Sequence, residues 1–298
     1  MKKLFLLSVI LTVTVFFFSC DSTKQLASSN QTALEAYHAG NYSKALSLWE
    51  NIIKSYEQKN ESKSCNVYTN AGMAALKLGM TDKAIDYLKK AGYSDFSNED
   101  TYLTLAEIYR KKDNLSLELV NLETYLKKYP HGKQTDFASQ RLLELYVESD
   151  NLDKAVNLWK TLSPQQQSLT ANMESYLAIN SKLNNNKTCL TLSGNLLQKN
   201  SKNGAALQWR ANYYFWKAEN HYQKELKEYN AHKTRKQYAH LLKALDQVSA
   251  NYKKALTYAK TLYAVDPTPK TAKLISRCYN RLDNKKKAAY YKKLAQKK

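Results

Sequence analysis

The chain has 298 residues, with 46 Lys and Arg against 26 Asp and Glu, giving a net charge of +20. Hydrophobic residues make up 43%, enough for a large core, but 7 Gly and 4 Pro are too few for the turns of an all-β or α/β fold. An all-α chain is expected, and scarce Gly also excludes a phosphate-cradling loop. No HExxH, GxSxG or P-loop occurs, and His38, His131, His221, His232 and His240 are scattered. No catalytic constellation, cofactor or metal site is expected.

The N-terminus reads Met1-Lys2-Lys3, an apolar run from Leu4 to Phe18, then Ser19-Cys20-Asp21. The run is shorter than the ~20 residues that span a bilayer. This order of charged start, apolar run and cysteine resembles a bacterial lipoprotein signal. The resemblance implies removal of residues 1–19 and lipidation of Cys20, including a fatty acyl chain such as palmitate. Phe17-Phe18-Ser19-Cys20 departs from the common Leu-Ala-Gly-Cys box, so an uncleaved N-terminal anchor is the alternative. Residues 20–31 are polar and small and read as the lipidated Cys plus a flexible tether. No acidic run follows Cys20, which favours an outer-membrane position facing the periplasm. The remaining Cys65, Cys189 and Cys278 are widely spaced without a CxxC pair and read as small buried apolar residues, with one disulfide as the alternative.

From Cys65 to Asn98, Gly72, Gly79, Ala84 and Ala91 mark one helix-turn-helix unit. Gly72 admits a close helix, Gly79 ends the first helix, and the two alanines keep the second helix thin. The spacing resembles a tetratricopeptide repeat (TPR), whose period is about 34 residues. In the same register, Leu26 to Lys59 offers Ala33, Gly40, Tyr42, Ala45 and Trp49. Glu99 to Gly132 follows, with Glu118 at an expected Ala and hence looser packing. From Asp136 come Leu143, Tyr146, Ala155 and Trp159, and from Ala171 the pattern weakens. Residues 32–204 are therefore assigned to repeats.

Residues 205–268 hold one repeat's landmarks with roughly 30 residues to spare. No Pro or Gly interrupts Ala205 to Asp266, and apolar residues continue at helical spacing through Tyr222, Tyr229, Tyr238, Leu245 and Tyr252. An extended helical hairpin with its turn near Asn230 to Thr234 is expected to project as an arm; an extra repeat packed in line is the alternative.

Residues 269–298 form a C-terminal repeat and basic cap. Lys270, Lys273, Arg277 and Arg281 lie at i, i+3, i+7 and i+11, one face of a helix, and the resemblance turns that face toward the repeat groove. Arg110 and Lys111 add charge in an earlier repeat. Among 23 Tyr, the run Tyr213-Tyr214-Phe215-Trp216 cannot all face one core, so Tyr213 and Trp216, with Tyr222, Tyr229 and Tyr238 on the arm, are candidate docking residues. Asn30 and Leu34 stand where a chaperone-tail carboxylate clamp needs Lys and Asn.

Together these features predict an all-α, TPR-like helical-hairpin solenoid acting as a non-catalytic envelope scaffold. It would bind envelope proteins, including acidic segments, through a groove and an arm, and meet the membrane through its lipid. Nucleic acid and a small-molecule substrate are not expected. A solute- or glycan-binding lipoprotein is the alternative.

Overall fold

A computed structural model describes residues 24–296 of the chain. The expected signal sequence, residues 1–19, and the lipidated Cys20 lie outside the described residues. Among the described residues the structure contains helices and no strand. A first helix α1 covers 24–38. It is followed by α2 (Tyr42–Gln58), a short 3₁₀ turn (Ser62–Ser64), α3 (Tyr68–Lys77), α4 (Thr81–Tyr93), α5 (Glu99–Lys111), α6 (Leu115–Lys128) and α7 (Thr135–Glu148). Then come α8 (Leu152–Thr161), α9 (Pro164–Ser168), α10 (Thr170–Lys182), α11 (Asn186–Lys199), α12 (Gly204–Ala231), α13 (Arg235–Val265), α14 (Pro269–Arg281) and α15 (Lys285–Leu294). The chain divides between Leu145 and Tyr146 into two compact units.

One turn design explains how a chain so poor in Gly makes repeated hairpins. Between paired helices the backbone passes through Gly40, Gly79, Asp113, Asp150, Asn184 or Asp283, each with φ between +51° and +79°. The next residue donates its N–H to the carbonyl five residues back, as Asn41 does to Ala36, Asn114 to Tyr109 and Asn284 to Tyr279. These are Schellman closures, in which Asp and Asn take the left-handed position usually given to Gly. At Asn41, Asn114, Asn185 and Asn284 the side chain then caps the following helix.

In the first unit, the packing of α3 on α4 follows the small residues. A Cβ on Gly72 would sit 2.7 Å from Leu88 Cγ, so any side chain there drives the helices apart. Ala71, Ala74, Ala75, Ala84 and Ala91 are buried, and Trp49, Ile52 and Ile53 of α2 complete the layer. The expected tether is corrected at its C-terminal end, because residues 24–31 belong to α1. Leu26 packs against the first core, Asn30 accepts a 2.8 Å hydrogen bond from Trp49 Nε1, and Thr32 closes a helical contact to the Ser28 carbonyl. These contacts outweigh the low helix propensity of the Ser and Asn residues.

Glu118, where looser packing is expected, is buried and held bidentately by Arg141: Nε to Oε1 at 2.7 Å and Nη2 to Oε2 at 3.0 Å. The position is filled by an ion pair rather than left loose.

In the second unit, Trp159 stacks on Tyr176 at 3.9 Å between ring centroids. Arg210 of α12 donates to Ser193 Oγ, the Leu190 carbonyl and the Tyr258 hydroxyl, tying α11, α12 and α13 together. The helices α12 and α13, of 28 and 31 residues, are the expected extended hairpin. Their turn falls at 232–234, with Thr234 capping α13 through Gln237 N. Both helices run unbroken, so the extra length is not a separate repeat. The base, from Ala211 to Tyr222 and from Val248 to Ala259, shares a core with Leu274, Ile275, Cys278 and Tyr279 of α14. In the distal half, residues 223–247, only Leu241 and Ala244 are buried.

Candidate partner-binding face of the second unit

The sequence suggests a basic stripe on α14 and an aromatic face on α12 as separate features; the structure joins them. Arg277 lies over the rings of Phe215 (4.3 Å) and Trp216 (5.2 Å), so its charge is held against the aromatic surface. Lys270 and Lys273 lie exposed on the preceding turns of α14, and neither makes an ion pair among the described residues. Trp216 is half-exposed. Tyr213 stacks on Trp209 at 4.9 Å, with the Lys217 ammonium 5.8 Å from the Tyr213 ring.

Two expected site residues, Arg281 and Tyr222, are engaged with each other. Arg281 is engaged within the protein: it forms an ion pair with Glu219, and its guanidinium covers the Tyr222 ring at 5.1 Å. Glu219 sits on the buried side of α12, where an unpaired carboxylate is costly, and Arg281 supplies the counter-charge. Tyr252 donates a 2.8 Å hydrogen bond to the same carboxylate and Gln223 adds another. Burial alone would raise the Glu219 pKa, but the bonds from Tyr252, Gln223 and Arg281 outweigh it and hold the carboxyl below its usual value. The Tyr252 hydroxyl is pushed up by burial and by Glu219. Arg281 and Tyr222 thus tie α12 to α14, with the Arg281 side chain still partly exposed.

The other expected residues fall elsewhere. Tyr229 and Tyr238 meet near the hairpin tip, 5.7 Å between rings, with Tyr238 half-exposed and the similarly exposed Leu242 one turn further along. Arg110 and Lys111 are exposed at the end of α5 in the first unit. Cys65, Cys189 and Cys278 are buried and unpaired, as the composition suggests. Burial pushes the Cys278 thiol up to about 12 and the Cys189 thiol to about 11, which keeps both protonated and unreactive. Among the described residues no group of three His, Cys, Asp or Glu side chains could hold a metal.

Sequence reasoning missed Glu219, Trp209 and Lys217. A count by element would have pointed there: residues 204–298 contain 22 Lys and Arg against 6 Asp and Glu, or +16 of the +20. An acid on the apolar side of a helix in so basic a segment stands out, and Glu219 is that acid.

Beside this face the α10–α11 turn and α12 flank an open cavity of about 610 Å³. Ser181, Asn184 and Asn186 line one wall, and Trp209, Asn212, Tyr213, Trp216, Lys217 and Asn220 of α12 line the other.

The fold these observations define is an all-α, TPR-like helical-hairpin solenoid with one extended hairpin, carrying a basic and aromatic face in its second unit. No protein-family model matches the sequence, and no curated protein does. Solved structures similar to it include TPR proteins. One from Parabacteroides merdae ATCC 43184 is 14% identical, covering 91% of this chain and 92% of its own at a TM-score of 0.44. YrrB, described as a TPR protein with an unusual peptide-binding site, is 16% identical over 60% of this chain and 89% of its own at 0.46. MamA is 13% identical over 66% and 89% at 0.45.

Proposed function

We propose that this protein is a non-catalytic scaffold of the bacterial envelope that holds protein partners on its second unit. One contact is the face of Lys270, Lys273, Arg277, Tyr213 and Trp216, which suits an acidic segment bearing an apolar side chain. The other is the distal arm, where Tyr238 and Leu242 are exposed beside Tyr229. The observation that carries the reading is Arg277 lying on Trp216. It creates one continuous cationic and aromatic surface, the chemistry enriched at interface hot spots. Lipid attachment at Cys20 would fix the scaffold to the outer membrane facing the periplasm, and the net charge of residues 204–298 would steer anionic partners toward it.

The test is the double substitution Lys270→Glu, Lys273→Glu. Both side chains are exposed and unpaired, so folding is expected to be unchanged by circular dichroism. The protein partner that co-purifies with the wild-type chain from envelope extracts should be lost, and its undiminished recovery would reject the acidic-segment contact.

A further inference from the structure

We propose that the cavity between the α10–α11 turn and α12 is a carbohydrate site, and that its ligand is an oligosaccharide carrying carboxylates. This goes beyond the scaffold reading and requires neither the lipid anchor nor a protein partner.

Three observations converge on it. The first is size: about 610 Å³ falls within the roughly 300–1,000 Å³ typical of small-ligand sites. The second is a row of amides that face solvent. Asn184 on the turn, Asn186 at the start of α11, and Asn212 and Asn220 on α12 all line the cavity. Among the described residues none of these four side chains has a hydrogen-bond partner within the protein, in contrast to Asn185 beside them, which caps α11. Each amide offers two donors and an acceptor, the pairing that vicinal hydroxyls require. The third is a set of flat rings: Trp209 and Tyr213 stacked within 13° of parallel, and half-exposed Trp216 on the next turn.

A pyranose has two chemically distinct parts, an apolar face of polarised C–H groups and a rim of hydroxyls. The first suits the electron-rich face of an aromatic ring and the second suits amides. Cavity chemistry also sets the ligand's charge. Lys217 is part of the lining, Arg277 lies on Trp216, and no carboxylate lines the cavity. A carboxylated sugar gains a charge-assisted hydrogen bond there that a neutral one lacks.

A peptide fits less well. Tyr213 and Trp216 also border the face proposed for a protein partner, but the amide row around the cavity suits the hydroxyl rim of a sugar, where a peptide hot spot would insert a side chain into a desolvated apolar pocket. A single-stranded nucleic acid would also stack on the rings, but it needs several cations along its backbone, and among the described residues Lys217 is the single cation lining the cavity.

Titration of the full chain with trigalacturonic acid, followed by the fluorescence of Trp209 and Trp216 and by calorimetry, tests the proposal. Trigalacturonate should bind, and more tightly than its neutral methyl ester. Trp216→Ala and the double substitution Asn212→Ala, Asn220→Ala should each weaken binding by about tenfold or more. Lys217→Gln should abolish the preference for the free acid, and Leu242→Ser on the arm should change nothing. All are surface positions, and unchanged thermal melting verifies the fold. No binding at millimolar trigalacturonate, or a Trp216→Ala variant that folds and binds as the wild type does, overturns the proposal. So does tighter binding of a short oligoglutamate peptide or of oligothymidylate. Tyr213 and Trp216 border both the cavity and the basic face, so other residues separate the two readings: Lys270→Glu, Lys273→Glu should spare trigalacturonate binding, and Asn212→Ala, Asn220→Ala should spare capture of the protein partner.

Discussion

Glu118 shows how a single residue departs from a repeat pattern without weakening it. An Ala is expected where α6 packs, and the chain has a carboxylate that is buried and gripped at two points by Arg141. A buried pair of this kind is not necessarily more stable than an apolar contact, but removing one partner strands the other charge at a cost of about 3–5 kcal/mol. Arg141→Leu alone should therefore destabilise strongly in urea unfolding. The double substitution Glu118→Ala, Arg141→Leu, which restores the small residue the repeat expects, should recover most of that loss. A double variant as unstable as the single would mean that the pair does not act as a unit. The same residue marks the limit of reading the sequence. Gly72, Gly79, Ala84 and Ala91 were legible because their roles are local and steric, and each stands where the spacing puts it. The partner of Glu118 lies 23 positions away on another helix, which periodicity cannot supply.

At the scale of the element, the long hairpin was legible because no Gly or Pro interrupts it and its apolar spacing never breaks. Its attachment was not, since that depends on Glu219 of α12 joining Tyr252 of α13 to Arg281 of α14. The start of α1 was misread as a tether because polar composition hides the tertiary contacts of Leu26 and Asn30. The triad makes a pH prediction with a fixed sign. Glu219 has a folded pKa below its ordinary value of 4.5, so its contribution is complete above about 4.5 and is lost as pH falls through the lower folded value. The melting temperature should therefore fall on acidification below pH 4.5, and less steeply in Glu219→Gln, which no longer titrates. Identical acid slopes in the two proteins would remove Glu219 from the account. The two rings covered by Arg277, on the same helix, also show why the stripe and the aromatic face looked separate: sequence spacing gives faces within a helix, but not which helices meet.

At the scale of the molecule, charge concentrates toward the C-terminal end. Residues 204–298 hold +16 of the net +20, and the distal hairpin exposes Tyr238 and Leu242. Repeat proteins are stabilised by contacts between neighbouring units, so a hairpin half with two buried residues adds little to folding. The account assigns that half to a partner. Its most direct test replaces residues 223–247 with a short Gly-Ser bridge and crosslinks wild-type and shortened chains in intact cells. The account predicts that the shortened chain melts as one cooperative fold near the wild-type temperature while the envelope proteins captured by the wild type are no longer captured. Capture of the same proteins by both chains would contradict it.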